Sequence, residues 1–169
     1  ALNLSVMDFK HYNTLKALRQ FFRENDVAGR LILEITESES IKDYQWITSI
    51  VSEFREAGAL LAIDDFGAGY SNLEKLIELQ PDVLKLDGSI IRTIDVDPKL
   101  QILVRHITSL AHSLGIKTQA EFVHNQAVQD ILVDMGVNFL QGFHLSEPIS
   151  IDDWNNYTTE PHHSFDKYS

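Results

Sequence analysis

Polar and charged side chains stand at the ends of successive apolar runs in this chain. In chain order they are Asn3, Glu34, Asp64, Asp65, Lys85, Glu121 and Gln141. If each run is a strand of one parallel sheet, these ends converge on one rim, where barrel enzymes build their active sites. Together with Glu37, the predicted cluster has five carboxylates, one lysine and two carboxamides in a small space.

Such a cluster predicts bound cations, because two like charges at ~4 Å repel by about 4 kcal/mol at an effective dielectric near 20. Carboxylate and carboxamide oxygens select hard ions such as magnesium, manganese or calcium over zinc. The neighbours Asp64 and Asp65 suit a two-metal site, since one carboxylate can bridge two ions ~3.5–4 Å apart. In-line attack of water on a phosphodiester is the chemistry of such sites, with Lys85 steadying the developing charge or orienting the water. The structural alternative is that each acidic residue caps the following helix.

Strands and helices alternate along the chain and must position these side chains. Continuous apolar runs over 31–33, 59–63, 83–84 and 139–140, with 2–4 and the mixed segment 117–123, predict six strands buried on both faces. Apolar spacing of three or four predicts helices over 9–22, 41–54, 98–114 and 128–135, with shorter ones over 72–79 and 152–157. Asp97 before Pro98 marks the clearest helix start. The pattern predicts an α/β fold with right-handed crossovers.

Composition narrows the class of protein. A chain of 169 residues with 44% hydrophobic and 23% charged residues has the balance of one globular domain. Its formal charge of −11 repels polyanions, which argues against a nucleic-acid polymer as partner. No apolar run reaches the roughly 18 residues of a membrane span, so we expect no direct membrane insertion. The absence of cysteine removes disulfides, thiolate zinc sites and cysteine nucleophiles.

The segment from Asp64 to Leu73 joins the acidic pair to the next predicted helix. Gly67 and Gly69 give this loop the freedom to adopt positive φ angles, and Ser71 can cap the helix, an arrangement in which backbone amides can face an anion. The segment lacks the third glycine of a dinucleotide-binding fingerprint, and a flexible turn with an ordinary cap is the alternative interpretation.

Several short motifs resemble those of the EAL domain, the bacterial phosphodiesterase of cyclic di-GMP. They occupy residues 3–5, 33–37, 64–73, 85–87, 120–121 and 141–143, and their order and approximate spacing agree over about residues 1–148. The resemblance implies a TIM-like barrel that hydrolyses cyclic di-GMP to linear pGpG with two magnesium or manganese ions, calcium being inhibitory. It also implies a cytoplasmic domain, a homodimer in the parent protein, and in many members an upstream sensor or GGDEF domain.

The resemblance implies five metal ligands. Asn3, Glu34 and Asp64 would hold the first ion, while Asp64 and Asp65 would hold the second. Glu121 matches the family's late catalytic glutamate and would act as a metal ligand or as a base through water.

Further roles are implied for residues around the ions. Lys85 would lie near the attacking water as a catalytic residue, and Gln141 would line the same site. Glu37 would anchor the 64–73 loop that couples metal binding to dimerisation, and capping of the next helix is the alternative for Glu37.

The chain departs from the family pattern in two places. The Glu-Ala-Leu signature occurs nowhere in it, and we expect that segment, with its metal-ligating glutamate, to precede Ala1. The family's usual Ala-Glu-Gly-Val-Glu reads Ala-Glu-Phe-Val-His at 120–124. His124 removes a negative charge but can still ligate a metal as neutral imidazole. Phe122 either fills space in the ligand pocket or packs on a neighbouring helix.

The signature segment bears on domain organisation too. Residues 1–157 are predicted to form a partial EAL domain of about six βα units, followed by a loosely ordered tail over 158–169. A TIM barrel has eight strands, so the sheet would expose two edges unless upstream strands or a partner chain complete it.

Three functions stay open at this point. The first is an active cyclic di-GMP phosphodiesterase, which the set of site residues favours. The second is a degenerate module that binds cyclic di-GMP or a protein without hydrolysis, which Phe122, His124 and the missing signature favour. The third is an aldolase with Lys85 as Schiff-base amine, which the surrounding carboxylates disfavour because they keep the lysine protonated.

Overall fold

A computed structural model describes residues 1–25, 29–36, 44–69, 73–150 and 153 of the chain. Six parallel strands form one sheet, and their spatial order equals their order in the sequence. The strands are β1 (Leu2–Asn3), β2 (Ile32–Thr36), β3 (Leu60–Phe66), β4 (Val83–Leu86), β5 (Lys117–Ala120) and β6 (Phe139–Leu140). The prediction of an α/β fold with six parallel strands is confirmed. Among the described residues β1 and β6 each pair with one strand only, so the sheet is open.

Seven helices are found in the described part of the chain. They are α1 (Val6–Lys10), α2 (Tyr12–Glu24), α3 (Tyr44–Glu56), α4 (Leu73–Leu79), α5 (Gly88–Ile91), α6 (Pro98–Ser113) and α7 (Gln126–Asp134). The single helix expected over 9–22 is wrong: His11 has extended backbone angles and separates α1 from α2. The start of α6 is confirmed, since the Asp97 side chain accepts a hydrogen bond from the Lys99 amide. The segment 152–157 lies outside the described residues apart from position 153.

The sheet is buried on both faces, as its apolar runs predict. Leu61, Ala62 and Ile63 follow one another in β3, and each is at most 1% exposed. Because consecutive strand residues point to opposite faces, apolar atoms must cover both sides of β3. The site described below therefore rests on a rigid support.

Three of the predicted strand ends are wrong by one or two residues. β2 continues past Glu34 to Thr36, β3 continues past Asp64 and Asp65 to Phe66, and β4 continues past Lys85 to Leu86. The apolar residues beyond these charges are buried, which extends the backbone pairing beyond the apolar runs. These charged side chains consequently project from paired strands instead of from loops.

No described helix is both long enough and apolar enough to cross a bilayer.

Arg55, in the last turn of α3, ties that helix to the segment between α4 and β4. Its guanidinium donates hydrogen bonds to the carbonyl oxygens of Leu79 and Gln80 and to the Asp82 carboxylate, the last at 2.9 Å. The Asp82 carboxylate also accepts a hydrogen bond of 2.8 Å from the Leu61 amide of β3. One side-chain pair therefore connects a helix, a loop and the sheet.

We expect Arg55→Lys to lower the free energy of unfolding by about 1.5–3 kcal/mol, because lysine lacks the planar fork that reaches three acceptors. Urea denaturation followed by circular dichroism measures the change. Arg105→Lys is the matched control, since Arg105 contacts Asp134 on the exposed surface at 3.0 Å and such pairs contribute about 0–1 kcal/mol. Equal effects of the two substitutions would contradict the connecting role of Arg55.

Candidate active site

β3 is irregular where it carries the acidic pair. Its register with β4 shifts between Ile63 and Phe66, and Asp65 has a φ of 58°, in the left-handed region. The Asp65 amide donates a hydrogen bond of 3.0 Å to the carboxylate of Asp64. A regular strand would direct neighbouring side chains to opposite faces, and the bulge allows both carboxylates to serve one site.

The two aspartates meet Glu121, the residue that directly follows β5. One carboxylate oxygen from each of Asp64, Asp65 and Glu121 lies within 4.8 Å of the others, and all three residues are half-buried. Opposite ligands of a magnesium ion are about 4.2 Å apart, given ligand distances of ~2.1 Å, and those of calcium are farther apart. The three oxygens thus lie close enough together to be ligands of one hard ion, and carboxylate oxygens fit such an ion chemically.

Lys85 of β4 lies at the centre of these carboxylates. Its Nζ is 2.8 Å from an oxygen of Asp64, 2.8 Å from one of Glu121 and 3.2 Å from one of Glu34. Lys85 is 7% exposed and Glu34 is 9% exposed. β2, β3, β4 and the turn after β5 therefore bring together four residues that are far apart in the sequence.

The surroundings of Lys85 determine its protonation. Burial by itself lowers the pKa of Lys85, but hydrogen bonds and the negative charges of Asp64 and Glu121 outweigh burial and raise that pKa above its usual range. The ammonium therefore stabilises the fold fully below the unfolded pKa of about 10.4, and this contribution is lost as the pH rises through the folded pKa. At neutral pH the amine has no free electron pair, which argues against a Schiff-base aldolase.

The charges of the cluster do not balance. Three carboxylates, those of Glu34, Asp64 and Glu121, surround one ammonium, which leaves a formal charge of 1 − 3 = −2. The expectation that a positive charge must lie among the carboxylates is met in part by Lys85 itself. The remaining negative charge favours the binding of further cations.

Two other predicted site residues lie at strand ends. Asn3 is the last residue of β1 and stands opposite Glu34 in the parallel register. Gln141 directly follows β6, and its side-chain oxygen accepts a hydrogen bond of 2.7 Å from Gln119 of β5. Gln119 was not among the predicted site residues. The sequence feature that could have indicated Gln119 is its carboxamide side chain within the mixed strand segment 117–123.

The loop after the acidic pair requires only one of its two glycines. Gly67 has a φ of 99°, and a Cβ there would lie 2.7 Å from the Cδ1 of Ile90, so a side chain would be strained and crowded. Gly69 has no positive φ, and a Cβ there would meet nothing within 4 Å, so the loop uses the conformational freedom of glycine at Gly67 and not at Gly69. Glu37 and Ser71 lie outside the described residues.

The segment 122–124, where the sequence departs from the family pattern, forms a tight turn after Glu121. Phe122 has a φ of 60° and is 45% exposed, and its ring lies against Gly88 at the start of α5, so one face of it packs on a neighbouring helix while the rest is open to solvent. The Nδ1 of His124 lies 3.2 Å from the Phe122 carbonyl oxygen, and its Nε2 lies 3.1 Å from the side-chain nitrogen of Asn125. Both ring nitrogens therefore have protein partners, and His124 is not part of the group formed by Asp64, Asp65 and Glu121.

The strain at Asp65 is measurable by comparing two substitutions. We expect the Asp65→Gly variant to be more stable than the Asp65→Ala variant, with a free energy of unfolding about 1 kcal/mol higher. The reason is that only glycine adopts a φ of 58° without strain. Both variants lose the same carboxylate contacts, so the difference between them isolates the backbone term. Thermal and urea unfolding give the values, and equal stability would show that the bulge carries no strain.

A parallel α/β sheet with charged side chains gathered at the carboxyl ends of its strands is the architecture of barrel enzymes. The sequence model of the EAL domain matches residues 1–148. The chain therefore belongs to the EAL domain family, and the predicted membership is confirmed.

The chain is similar in sequence to curated cyclic di-GMP phosphodiesterases. The chain is 35% identical over 154 residues to the probable cyclic di-GMP phosphodiesterase PdeA of Escherichia coli, a match that covers 90% of the chain and 21% of that protein. The chain spans about a fifth of the length of the curated relatives that it matches.

Solved structures agree with the fold. The EAL domain of Mycobacterium smegmatis DcpA superposes with a TM-score of 0.84 at 30% identity, covering 92% of the chain and 70% of that domain. Klebsiella pneumoniae BlrP1, in a complex with manganese and cyclic di-GMP, superposes with a TM-score of 0.73 at 30% identity. The match covers 84% of the chain and 37% of the BlrP1 chain. The fold is thus that of a TIM-like barrel, of which the described part of the chain contains six strands.

Proposed function

We propose that the protein hydrolyses cyclic di-GMP to pGpG with two magnesium or manganese ions. The carboxylate cluster around Lys85 carries this proposal, because it combines excess negative charge with a fixed ammonium at the carboxyl ends of parallel strands. Relatives named as cyclic di-GMP phosphodiesterases support the choice of substrate.

The metal ligands in this proposal are the strand-end oxygens. Asn3, Glu34 and Asp64 hold one ion, and Asp64 and Asp65 hold the other, while Glu121 is a ligand or a base. When bound, the ions supply Lewis-acid activation of water and neutralisation of the phosphodiester charge.

Lys85 is proposed to stabilise negative charge in the reaction, and Glu121 is proposed to accept a proton. The ammonium of Lys85 has three N–H donors and three carboxylate partners at 2.8–3.2 Å, so all of its donors are committed. A donor reaches a substrate or water oxygen only when one of those carboxylates turns to another partner. Lys85 then stabilises negative charge on the phosphodiester while a water oxygen bonds to phosphorus and the bond from phosphorus to one ribose O3′ breaks. Glu121, in its role as base, accepts the proton of the attacking water, and the released O3′ takes up a proton from solvent to give linear pGpG.

The remaining roles belong to the same proposal. Gln141 lines the substrate side of the site, and Glu37 supports the loop that contains Gly67, Gly69 and Ser71. In the parent protein, the domain forms a homodimer behind a sensor or GGDEF domain and faces the cytoplasm, where its substrate is found. Residues 158–169 form the tail that follows the partial EAL domain.

The test is hydrolysis of cyclic di-GMP by the full-length protein. Chromatography follows pGpG with magnesium, with manganese and with excess calcium, and calorimetry measures binding alongside. Metal-dependent turnover that calcium suppresses is the expected result. Tight binding without turnover would establish a receptor instead, and the absence of both would overturn the proposal.

Glu34→Gln keeps the shape of a proposed ligand and removes its charge. We expect turnover to fall by about 10²–10³-fold, the range for losing one charged group from a preorganised site. Glu53→Gln is the matched control, since Glu53 lies on α3 and pairs with the exposed Arg19 at 2.7 Å. Unchanged hydrolysis in Glu34→Gln would remove this residue from the site.

A further inference from the structure

We propose that Arg92, held against the ring of Phe122, reads the O6 and N7 edge of a guanine base of the cyclic dinucleotide. The inference rests on the proposed function and adds the group that determines its base specificity. Arg92 follows α5, and Phe122 follows Glu121, so the pair borders the carboxylate cluster.

The geometry of the pair is the first argument. The central carbon of the Arg92 guanidinium lies 4.2 Å from the centroid of the Phe122 ring, within the distance of a cation–π interaction. Both side chains are exposed, Phe122 to 45%. The ring restricts the guanidinium to one position while leaving its edge open to a ligand.

The backbone at Phe122 is the second argument. A φ of 60° is costly for an aromatic residue, and glycine would adopt it freely. A Cβ on Gly88 would lie 3.0 Å from the Cβ of Phe122, so the ring is seated closely against the start of α5. A strained and exposed phenylalanine adds little to the core, which points to a role toward a ligand.

The free donors of Arg92 are the third argument. Among the described residues, no hydrogen bond and no ion pair within 4.0 Å engages the Arg92 guanidinium, and the nearby Asp87 carboxylate acts on it only through its charge. Its planar fork matches the two acceptors O6 and N7 on one edge of guanine. Adenine presents a donor at N6 beside N7, so the same fork discriminates against it.

The location relative to the reacting groups favours a base over a phosphate. The Cα atoms of Glu121 and Phe122 are neighbours in the chain, ~3.8 Å apart, and α5, which Arg92 follows, also contacts the loop after the acidic pair, since a Cβ on Gly67 would meet Ile90 at 2.7 Å. We infer from these two contacts that the pair lies near the centre where the phosphodiester must bind. In a cyclic dinucleotide, the bases extend outward from the phosphates. Arg92 therefore meets a base while Lys85 and the proposed ions meet the phosphodiester.

The test compares Arg92→Lys and Arg92→Gln with the full-length wild type, using steady-state kinetics on cyclic di-GMP and competition by cyclic di-AMP. We expect the KM for cyclic di-GMP to rise about tenfold in both variants, with kcat changed less than about threefold. Inhibition by cyclic di-AMP should change little, so the preference for guanine falls. Arg92 is exposed, so both variants should fold, and thermal unfolding checks that they do.

Phe122 has its own pair of variants. Phe122→Leu removes the aromatic face and should raise the KM several-fold, whereas Phe122→Tyr keeps the face and should retain the wild-type KM. A merely structural role for the ring predicts a change in stability without a change in KM.

The outcomes separate the two proposals. Wild-type turnover with unchanged KM in the Arg92 variants overturns the guanine-reading role and leaves the phosphodiesterase intact. Equal weakening of cyclic di-GMP and cyclic di-AMP binding makes Arg92 a phosphate contact and also overturns it. Failure of the wild type to bind or hydrolyse cyclic di-GMP overturns both proposals.

Discussion

Replacing Lys85 with methionine is expected to reduce the hydrolysis of cyclic di-GMP by about 10²–10³-fold. Methionine keeps most of the volume and removes the ammonium that contacts Glu34, Asp64 and Glu121. The transition state then loses a fixed positive charge. Initial rates of pGpG formation at saturating magnesium or manganese measure the loss.

The same substitution is expected to lower the free energy of unfolding by about 3 kcal/mol, since three largely buried carboxylates lose their cationic partner. A loss of this size leaves most domains folded at room temperature. Added magnesium should raise the unfolding temperature of the variant more than that of the wild type, because an ion can replace the missing charge. Full activity in Lys85→Met would refute the central place of Lys85 in the site.

The largest expected effect on stability comes from Gly142→Ala. A Cβ at Gly142 would overlap the backbone oxygen and nitrogen of Val123 and lie 2.6 Å from its carbonyl carbon. Val123 cannot yield easily, because its amide donates a hydrogen bond of 3.0 Å to Gln141 and its carbonyl accepts one of 3.1 Å from His144. We expect the free energy of unfolding to fall by at least about 3 kcal/mol. Turnover should be lost too, because Glu121 begins the turn that the new Cβ displaces.

Gly69→Ala is the matched control for this prediction. A Cβ at Gly69 meets nothing within 4 Å, so its effect on the free energy of unfolding should stay within about 0.5 kcal/mol. Urea titrations of both variants by circular dichroism give the comparison. Similar stabilities for the two would show that the turn around Val123 adapts.

Some features of the fold could be predicted because they depend on neighbouring residues. The run at 59–63 is apolar throughout, as burial on both faces of a parallel sheet requires, and β3 is buried in this way. Asp97 and Pro98 mark the start of α6 through a cap and a fixed φ, both of which act within one turn.

The site was predictable only in outline. Alternation of strands and helices predicts that Glu34, Asp64, Lys85 and Glu121 end near one rim, and the structure does place them in contact. The pattern does not predict that all three donors of Lys85 bind carboxylates. Those contacts depend on the register of β2, β3 and β4, which is set across the sheet.

Two backbone features show what local patterns miss. Asp65 and Phe122 have φ angles of 58° and 60°, although neither is a residue for which positive φ is the default. The bulge at Asp65 is a mismatch between β3 and β4, and such a mismatch involves two strands at once. Likewise, Arg92 meets Phe122 only because the segments after β4 and β5 lie side by side.

Periodicity and capping act over a few neighbouring residues, and they were sufficient to predict the fold class, the six strands and the types of residue near the rim. Three features became known only from the folded chain: Lys85 is shared among three carboxylates, Gly67 but not Gly69 needs to be glycine, and Phe122 supports Arg92. These features depend on strand register and on contacts between distant segments, which exist only once the sheet has formed.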